Sequence, residues 1–472
     1  MRVRTSDPDG VAVSTRHAPD GGLSRIVVAQ ALAAALLGVS WAGRRLRHTY
    51  FYFDEWSMIG RVTQLGPIDG ATTSFNGHLW LFQDAIFRVQ AVVFGLDSNV
   101  FVVAVFVLSL VALHLSLAAL AVRVGVPVVP ALMLAGLLTY LGPAAQNFVF
   151  AVQVSPTFAT AAAVAVPAIV SGRQPTMRRC VIVSTLLLSS VSFDSGVGLM
   201  ALALGGGSVV ALWPRRRWWV LAPSGLVTAS WYTFGDLGPE FDASVNERIV
   251  FAARLLVRGA GAVVGGGAWA GAAVLVACAS ATVLAAVAGR FDRAGWAVML
   301  AGGLATTINV AGIAQSRAGV EGFTFFENNR YLQNVAIPLS ITFLPALVGC
   351  ARGAADRWSD TWVARRSVQL AVPTLLIGAC FVLGLDEERE YADVFVERTQ
   401  EVRVGVRDIG LVVVAGCPTG ESRDLDVRAL GGLSPQVTPR LVGELVDRGL
   451  LSTARGGVDS VDPQILAAVC GP

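Results

Sequence analysis

Two adjacent carboxylates in an aromatic setting, Tyr50-Phe51-Tyr52-Phe53-Asp54-Glu55-Trp56, give the strongest chemical signal in the chain. Aromatic rings favour the membrane–water interface. An acidic pair at that depth is costly unless it is paired, solvated or functional. Partial burial raises a carboxylate's pKa towards the range useful for a general base. The plain alternative is a solvated boundary between helix and loop. Further along, Asn76-Gly77-His78-Leu79-Trp80 places one of four histidines beside Asn and Trp. A lone His is also compatible with a surface residue without a role. A third cluster is Phe325-Phe326-Glu327-Asn328-Asn329-Arg330-Tyr331-Leu332. Arg330 has the planar fork that clamps phosphate; the competing reading is an interfacial anchor, Arg330 with Tyr331, reaching for headgroups. Gln146-Asn147 and Gln153 bracket a turn. Asp194 lies between two apolar runs, as a functional intramembrane acid or, with Ser195, as a helix cap.

The elements that must hold these residues follow from composition. The 472 residues are 54% hydrophobic and only 15% charged, with mean hydropathy +0.62. A soluble domain carries about 25% charged residues. Charge is also unevenly spread: residues 386–472 hold 15 acids and 9 arginines, the first 385 hold 18 and 27. These are densities of roughly 28% and roughly 12%, a soluble value and a membrane value. Disorder, a coiled coil, a disulfide-rich mini-protein and a β-barrel are excluded. All 36 basic residues are arginine, and the net charge of +3 is no argument for nucleic acid.

A spanning helix needs about 20 apolar residues. Runs of suitable character lie at 26–43, 98–121, 126–142, 154–171, 179–192, 196–213, 218–234, 267–289, 294–314, 332–350 and 367–385. They predict an α-helical polytopic membrane protein of about eleven transmembrane helices. The run 26–43 is followed by Arg44, Arg45 and Arg47 without a small-x-small cleavage site, so it reads as an uncleaved first helix. The runs 179–192 and 196–213 could be half-spans meeting at Phe193-Asp194-Ser195.

Alternate connections carry arginine: Arg123; Arg173, Arg178 and Arg179; Arg215–Arg217; Arg290 and Arg293; Arg352, Arg357, Arg365 and Arg366. The other set carries Asp54, Glu55, Asp194, Asp236, Glu240, Asp242, Glu321 and Glu327. The arginine bias puts the first set in the cytoplasm. The expected protein is therefore a multi-pass plasma-membrane protein with its N-terminus cytoplasmic and its C-terminus extracytoplasmic. Arg44, Arg45 and Arg47 break the pattern, either as an outer phosphate ligand or as a sign that the first helix is misplaced.

Three regions follow: 1–24 as a disordered cytoplasmic tail, 25–385 as the membrane domain, with the candidate site in its outer loop 44–97, and 386–472 as a small soluble α/β extension outside. Leu79–Phe94 and the helix bearing Arg254 and Arg258 are expected to lie along the membrane surface. In the extension, Leu411–Ala415 reads as a strand and Arg440–Leu451 as an amphipathic helix. Cys180, Cys278, Cys350 and Cys380 read as apolar packing residues. Cys417 and Cys470 have no metal spacing and can pair if the tail is outside. The Gly205–Gly207 and Gly265–Gly267 triplets read as helix packing or kinks, not nucleotide loops.

An acidic pair in the first outer loop, many helices and a late Arg330-Tyr331-Leu332 resemble the GT-C superfamily of polytopic glycosyltransferases, and more narrowly actinobacterial GT-C-like membrane proteins. The matching residues are Asp54-Glu55-Trp56, Asn76 to Trp80, and Gln146-Asn147 through Gln153, within roughly residues 20–385. This sequence departs from the family pattern in Glu55, where a second Asp is common, and in Leu79 between His78 and Trp80. The resemblance implies inverting transfer of a sugar from a polyprenyl-phosphate donor to a cell-envelope glycan or lipid acceptor on the outer face, with membrane lipids around it. It implies Asp54 as base, Glu55 orienting the acceptor or holding a divalent cation (Mg or Mn), and Arg330 stabilising the leaving phosphate. It gives His78, Gln146, Asn147, Gln153 and Tyr331 substrate contacts, and Trp56 and Trp80 stacking faces for sugar rings. Two adjacent carboxylates do not by themselves define a metal site. The alternatives are a transporter or flippase for lipid-linked sugars, and a non-catalytic membrane scaffold.

Overall fold

The computed structural model describes residues 25–75, 77–172, 174–235, 242–320, 323–324, 329–358, 362–416, 437–452 and 461–470. The expectations for residues 1–24, Asn76, Asp236, Glu240, Glu321, Glu327 and Cys417 lie outside these. The described residues are almost entirely helical, with one isolated β-bridge between Phe75 and His78.

The first helix, α1 (Arg25–Leu46), leads into a run of short ones: α2 (Asp54–Gln64), α3 (Pro67–Thr72) and α4 (Leu81–Val89). Then come α5 (Val100–Arg123), α6 (Val128–Thr139), the single turn α7 (Gln146–Val149) and α8 (Val154–Val170). Helix α9 (Met177–Phe193) is followed by α10 (Ser195–Ala201) and α11 (Gly207–Leu212), which one wide turn joins into a single span. After α12 (Ala222–Phe234) come α13 (Val245–Val263), α14 (Ala268–Val287), α15 (Arg293–Arg317), α16 (Arg330–Trp358) and the 53-residue α17 (Trp362–Val414). Helices α18 (Pro439–Asp447) and α19 (Pro463–Cys470) close the described chain.

Among the described residues, seven helices are long and apolar enough to cross a membrane: 100–123, 151–170, 195–212, 268–287, 293–317, 330–355 and 370–414. Other apolar runs of the sequence form shorter helices, such as α9 with 17 residues and α12 with 13. The spans leave large apolar side chains open, among them Leu108, Trp269, Val276, Leu300, Leu304 and Leu376. Such a surface is too apolar for water and suits a bilayer. Helix starts are marked chemically: Asp292 caps α15 through the Gly295 N–H, and Ser244 with Glu247 forms a capping box on α13.

The connections fall at two ends, and the charge segregates with them. At one end Arg352 donates to the Gly125 carbonyl and Arg293 to the Ala211 carbonyl. At the other end Asp54 meets Arg330, and the Gly142 turn lies against Gly384 of α17 so closely that a Cβ would overlap its carbonyl. Gly265 turns the chain after α13 at φ +63° and also touches α17. The Gly205 side of the other triplet is packed on Leu187 and Val166. Both triplets therefore serve packing and turning.

The tail departs from the sequence expectation. Leu411–Val414 is not a strand but the last turn of α17, so the extension is helical rather than α/β where it is described. Val402, Val406, Ile409 and Val412 recur at helical spacing and meet Leu441, Val442 and Leu445 of α18. That seam outweighs the strand preference of a short Val-rich run, which periodicity alone cannot assign. The helix expected over 440–451 appears as α18. The tail also shares one core with the segment between α1 and α5: Tyr50, Phe51, Trp56 and Phe87 cluster with Phe395, Val406 and Leu445. Cys470 is disulfide-bonded, and Cys180, Cys278, Cys350 and Cys380 are free.

Candidate active site

The acidic pair is placed by a strained corner. Phe53 adopts φ +45°, the only positive φ at a non-glycine among the described residues. Such conformations cost about 1–3 kcal/mol and persist only where the surroundings enforce them. Here Trp56 donates its indole N–H to the Phe51 carbonyl at 3.0 Å and Tyr50 donates its hydroxyl to the Leu96 carbonyl at 2.7 Å. The corner starts α2 at Asp54, so both carboxylates lie in its first turn, where the helix dipole favours negative charge.

Arg330 reaches Asp54 from 276 residues away, with Nη1 to Oδ2 at 3.5 Å. Both side chains are largely buried, at 19% and 12% exposure. The polar turn at 146–147 holds Arg330 in place. The Asn147 amide donates to the Arg330 carbonyl at 2.8 Å, the Arg330 N–H donates to Gln146 Oε1 at 3.4 Å, and the Gln146 N–H donates to Asn329 Oδ1 at 3.0 Å. Tyr331 lies against the Arg330 guanidinium at 5.3 Å and accepts from Arg317 at 2.7 Å through its hydroxyl. The site is thus a carboxylate–guanidinium pair braced by amides.

Glu55 is buried beside it. One oxygen accepts the Tyr52 N–H at 2.8 Å; the other faces the Val152 backbone without a well-formed hydrogen bond among the described residues. Burial pushes its pKa up to about 8, opposed by the Tyr52 N–H and assisted by the Asp54 charge. At neutral pH Glu55 is therefore mostly protonated and can donate.

His78 and Trp80 form a separate cluster. His78 Nδ1 lies 3.0 Å from Asp194 Oδ1, and that carboxylate also accepts from the Gly196 and Val197 N–H groups at 2.8 and 3.2 Å. Burial works against the charged form of Asp194, but His78 and the backbone donors outweigh it and hold its pKa below the usual value. Asp194 is thus both the cap of α10 and the partner of a histidine. The Leu79 N–H donates to Ser195 Oγ at 3.0 Å, and Trp231 donates to the Gly77 carbonyl at 3.3 Å. The ring of Trp80 lies 5.9 Å from His78.

The structure thus gathers Asp54, Glu55, Gln146, Asn147, Arg330 and Tyr331 in one site. Trp56 is fully buried and Trp80 nearly so. Gln153 is buried, and its side chain makes no hydrogen bond to another described residue. Sequence reasoning missed Phe395, which packs on Tyr52 at 5.5 Å and on Phe150 at 5.4 Å. It also missed Asn329 and Arg317. The two asparagines before Arg330 were the visible signal for Asn329; nothing local pointed to Phe395.

The arginines at the end of α1 have an explanation in part. Arg45 pairs with Asp393 at 2.7 Å and with the buried Glu388 at 3.6 Å, both on α17. Among the described residues no group of three or more His, Cys, Asp or Glu side chains is arranged to hold a metal ion.

No family model matches the chain, and no curated protein does. Among solved structures it is similar to the crystal structure of ArnT from Cupriavidus metallidurans bound to undecaprenyl phosphate. The identity is 14%, the TM-score 0.47, and the match covers 93% of this chain and 88% of that one.

Proposed function

We propose that this chain is a GT-C-type membrane glycosyltransferase that moves a sugar from a polyprenyl-phosphate donor to a hydroxyl of a cell-envelope glycan or lipid. The observation that carries this reading is the buried Asp54–Arg330 pair at the acid-rich end of the bundle. A carboxylate next to a guanidinium is the equipment for taking a proton and receiving a phosphate. On donor binding, the phosphate takes the guanidinium and frees Asp54. Asp54 then accepts the acceptor's hydroxyl proton, and the acceptor oxygen bonds to the anomeric carbon from the opposite face. The bond from that carbon to the phosphate oxygen breaks, its electron pair leaves on the phosphate, and Arg330 balances the charge. Attack from the opposite face inverts the anomeric centre.

Glu55, protonated at neutral pH, orients the acceptor by donating a hydrogen bond. A divalent cation would be held by Asp54 together with Glu55 only once Glu55 had lost its proton. Arg330 already supplies positive charge beside Asp54. Charge segregation between the two ends supports an outer-face site, with the N-terminus cytoplasmic and the tail outside.

The competing reading, a flippase for the same lipids, draws on the wide turn between α10 and α11 and the capped break at Asp194, since broken helices mark transporter sites. The test is mass spectrometry of purified protein in nanodiscs given a panel of polyprenyl-phosphate sugars and envelope glycans. Free polyprenyl phosphate together with an elongated acceptor of inverted anomeric configuration is expected. Intact donor carried across proteoliposomes, without cleavage, would favour the flippase and contradict the transferase.

A further inference from the structure

The acid-rich end of the bundle holds one strongly basic feature that the proposed reaction does not use. Helix α1 ends in Arg44-Arg45-Leu46 and is followed by Arg47-His48, where the alternation of charge predicts acids. With α17 these residues line an open cleft of about 600 Å³. Four guanidinium groups, from Arg44, Arg45, Arg47 and Arg389, line it against two carboxylates, Asp393 and Glu397.

The two carboxylates do not neutralise the four cations. Asp393 is taken by Arg45, at 2.7 Å. Arg47 Nε donates to His48 Nε2 at 2.9 Å, and a ring nitrogen that accepts carries no proton. Arg389 lies 3.9 Å from the exposed Asp386, a pair of little energetic weight, and also interacts with the charge of Glu388, which Arg45 holds more strongly. Arg44 is exposed and makes no hydrogen bond or ion pair with another described residue. Arg44, Arg47 and Arg389 thus share one cleft with Glu397 as the lining carboxylate not engaged by Arg45, so positive charge stays in excess there.

The walls are braced. Arg45 ties α1 to α17 through Asp393 and the fully buried Glu388, and Gln400 donates to the His48 carbonyl. Trp41 lines the cleft and packs on Phe148 at 5.3 Å, whose neighbour Asn147 bonds the Arg330 carbonyl. The cleft therefore adjoins the candidate active site through a layer of aromatic rings.

We propose that this cleft is a second anion site that binds a phosphate group, independent of the glycosyltransferase reading. Arginine forks match phosphate oxygens bidentately, and a braced site spends little binding energy on ordering. The phosphate could come from an anionic lipid headgroup or from a soluble phosphate, and the two sources are separable by experiment.

The test is native mass spectrometry of the purified full chain titrated with dioleoylphosphatidylglycerol against dioleoylphosphatidylcholine. The wild type is expected to retain the anionic lipid preferentially. The double variant Arg44→Gln/Arg47→Gln should weaken that preference roughly tenfold or more, with unchanged thermal unfolding. Arg389→Gln should move it in the same direction and stands in if the double variant does not fold. Arg330→Gln should leave it intact. If excess inorganic phosphate displaces the lipid, the site takes the phosphate group from either source; if not, it is specific for the lipid. A wild type without preference, or a preference that survives in the arginine variants, overturns the proposal. Loss in Arg330→Gln would place the phosphate at the Asp54–Arg330 pair instead and overturn it as well.

Discussion

Glu55 shows how adjacent carboxylates acquire different tasks. Asp54 has Arg330 beside it, whereas Glu55 is buried, with one oxygen lacking a well-formed hydrogen bond among the described residues and a pKa raised to about 8. A raised carboxyl pKa means the folded state prefers the protonated form. The resulting stability is fully present below the unfolded value near 4.5 and is lost as pH rises through 8. The loss is on the order of 5 kcal/mol. Wild-type Tm is therefore expected to fall between pH 5 and 9 by more than that of Glu55→Gln, as thermal unfolding at each pH will show. In the same window wild-type transfer should decline as Glu55 loses its donor proton. Glu55→Gln should keep most of its pH 7 rate and a flatter profile. An activity that rises through pH 8 and vanishes in Glu55→Gln would make Glu55 the base.

At the scale of elements, two joints position the site. In the first, Asp194 caps α10 and holds His78, tying the segment between α1 and α5 to the bundle. Asp194→Ala removes a cap worth about 1 kcal/mol and strands the histidine. We expect a lower Tm and faster proteolysis near residues 66–80, read by limited digestion, while Asp194→Asn, which can still cap, should lose less. In the second, Leu445 of α18 is fully buried in the core that also holds Trp56 and Tyr50. Leu445→Ala should cost about 2–5 kcal/mol and lower donor turnover although it lies far along the chain from Asp54. Unchanged stability would mean that α18 is dispensable to that core. What the sequence revealed here follows from range. Asp54, Arg330 and the Gln146-Asn147 turn stood out because polar residues in apolar surroundings demand a reason. The partnership of His78 with Asp194 and the packing of Phe395 on Tyr52 depend on contacts between distant segments, which no local pattern carries. Leu411–Val414 misled because a short Val-rich run suits a strand or a buried helical turn equally.

For the whole molecule, alternation of arginine-rich and acid-rich connections matches the two ends of the helical bundle. Arg123, Arg290, Arg293 and Arg352 lie at one end, and Asp54, Glu55, Asp194 and the tail at the other. The positive-inside rule would place the first end in the cytoplasm, an orientation that labelling tests. In intact cells, a cysteine substituted at Ser452 should react with a membrane-impermeant maleimide. One substituted at Asp292 should react only after the membrane is opened; the reverse pattern would invert the topology and put the candidate site inside. The central claim is narrower: Asp54 takes the acceptor's proton beside Arg330. The most direct measurement is donor turnover by Asp54→Asn next to wild type in nanodiscs, with folding checked by thermal unfolding. The account predicts a fall of about 10²–10⁴-fold in kcat with the fold retained. Turnover equal to wild type in a folded Asp54→Asn protein would contradict it.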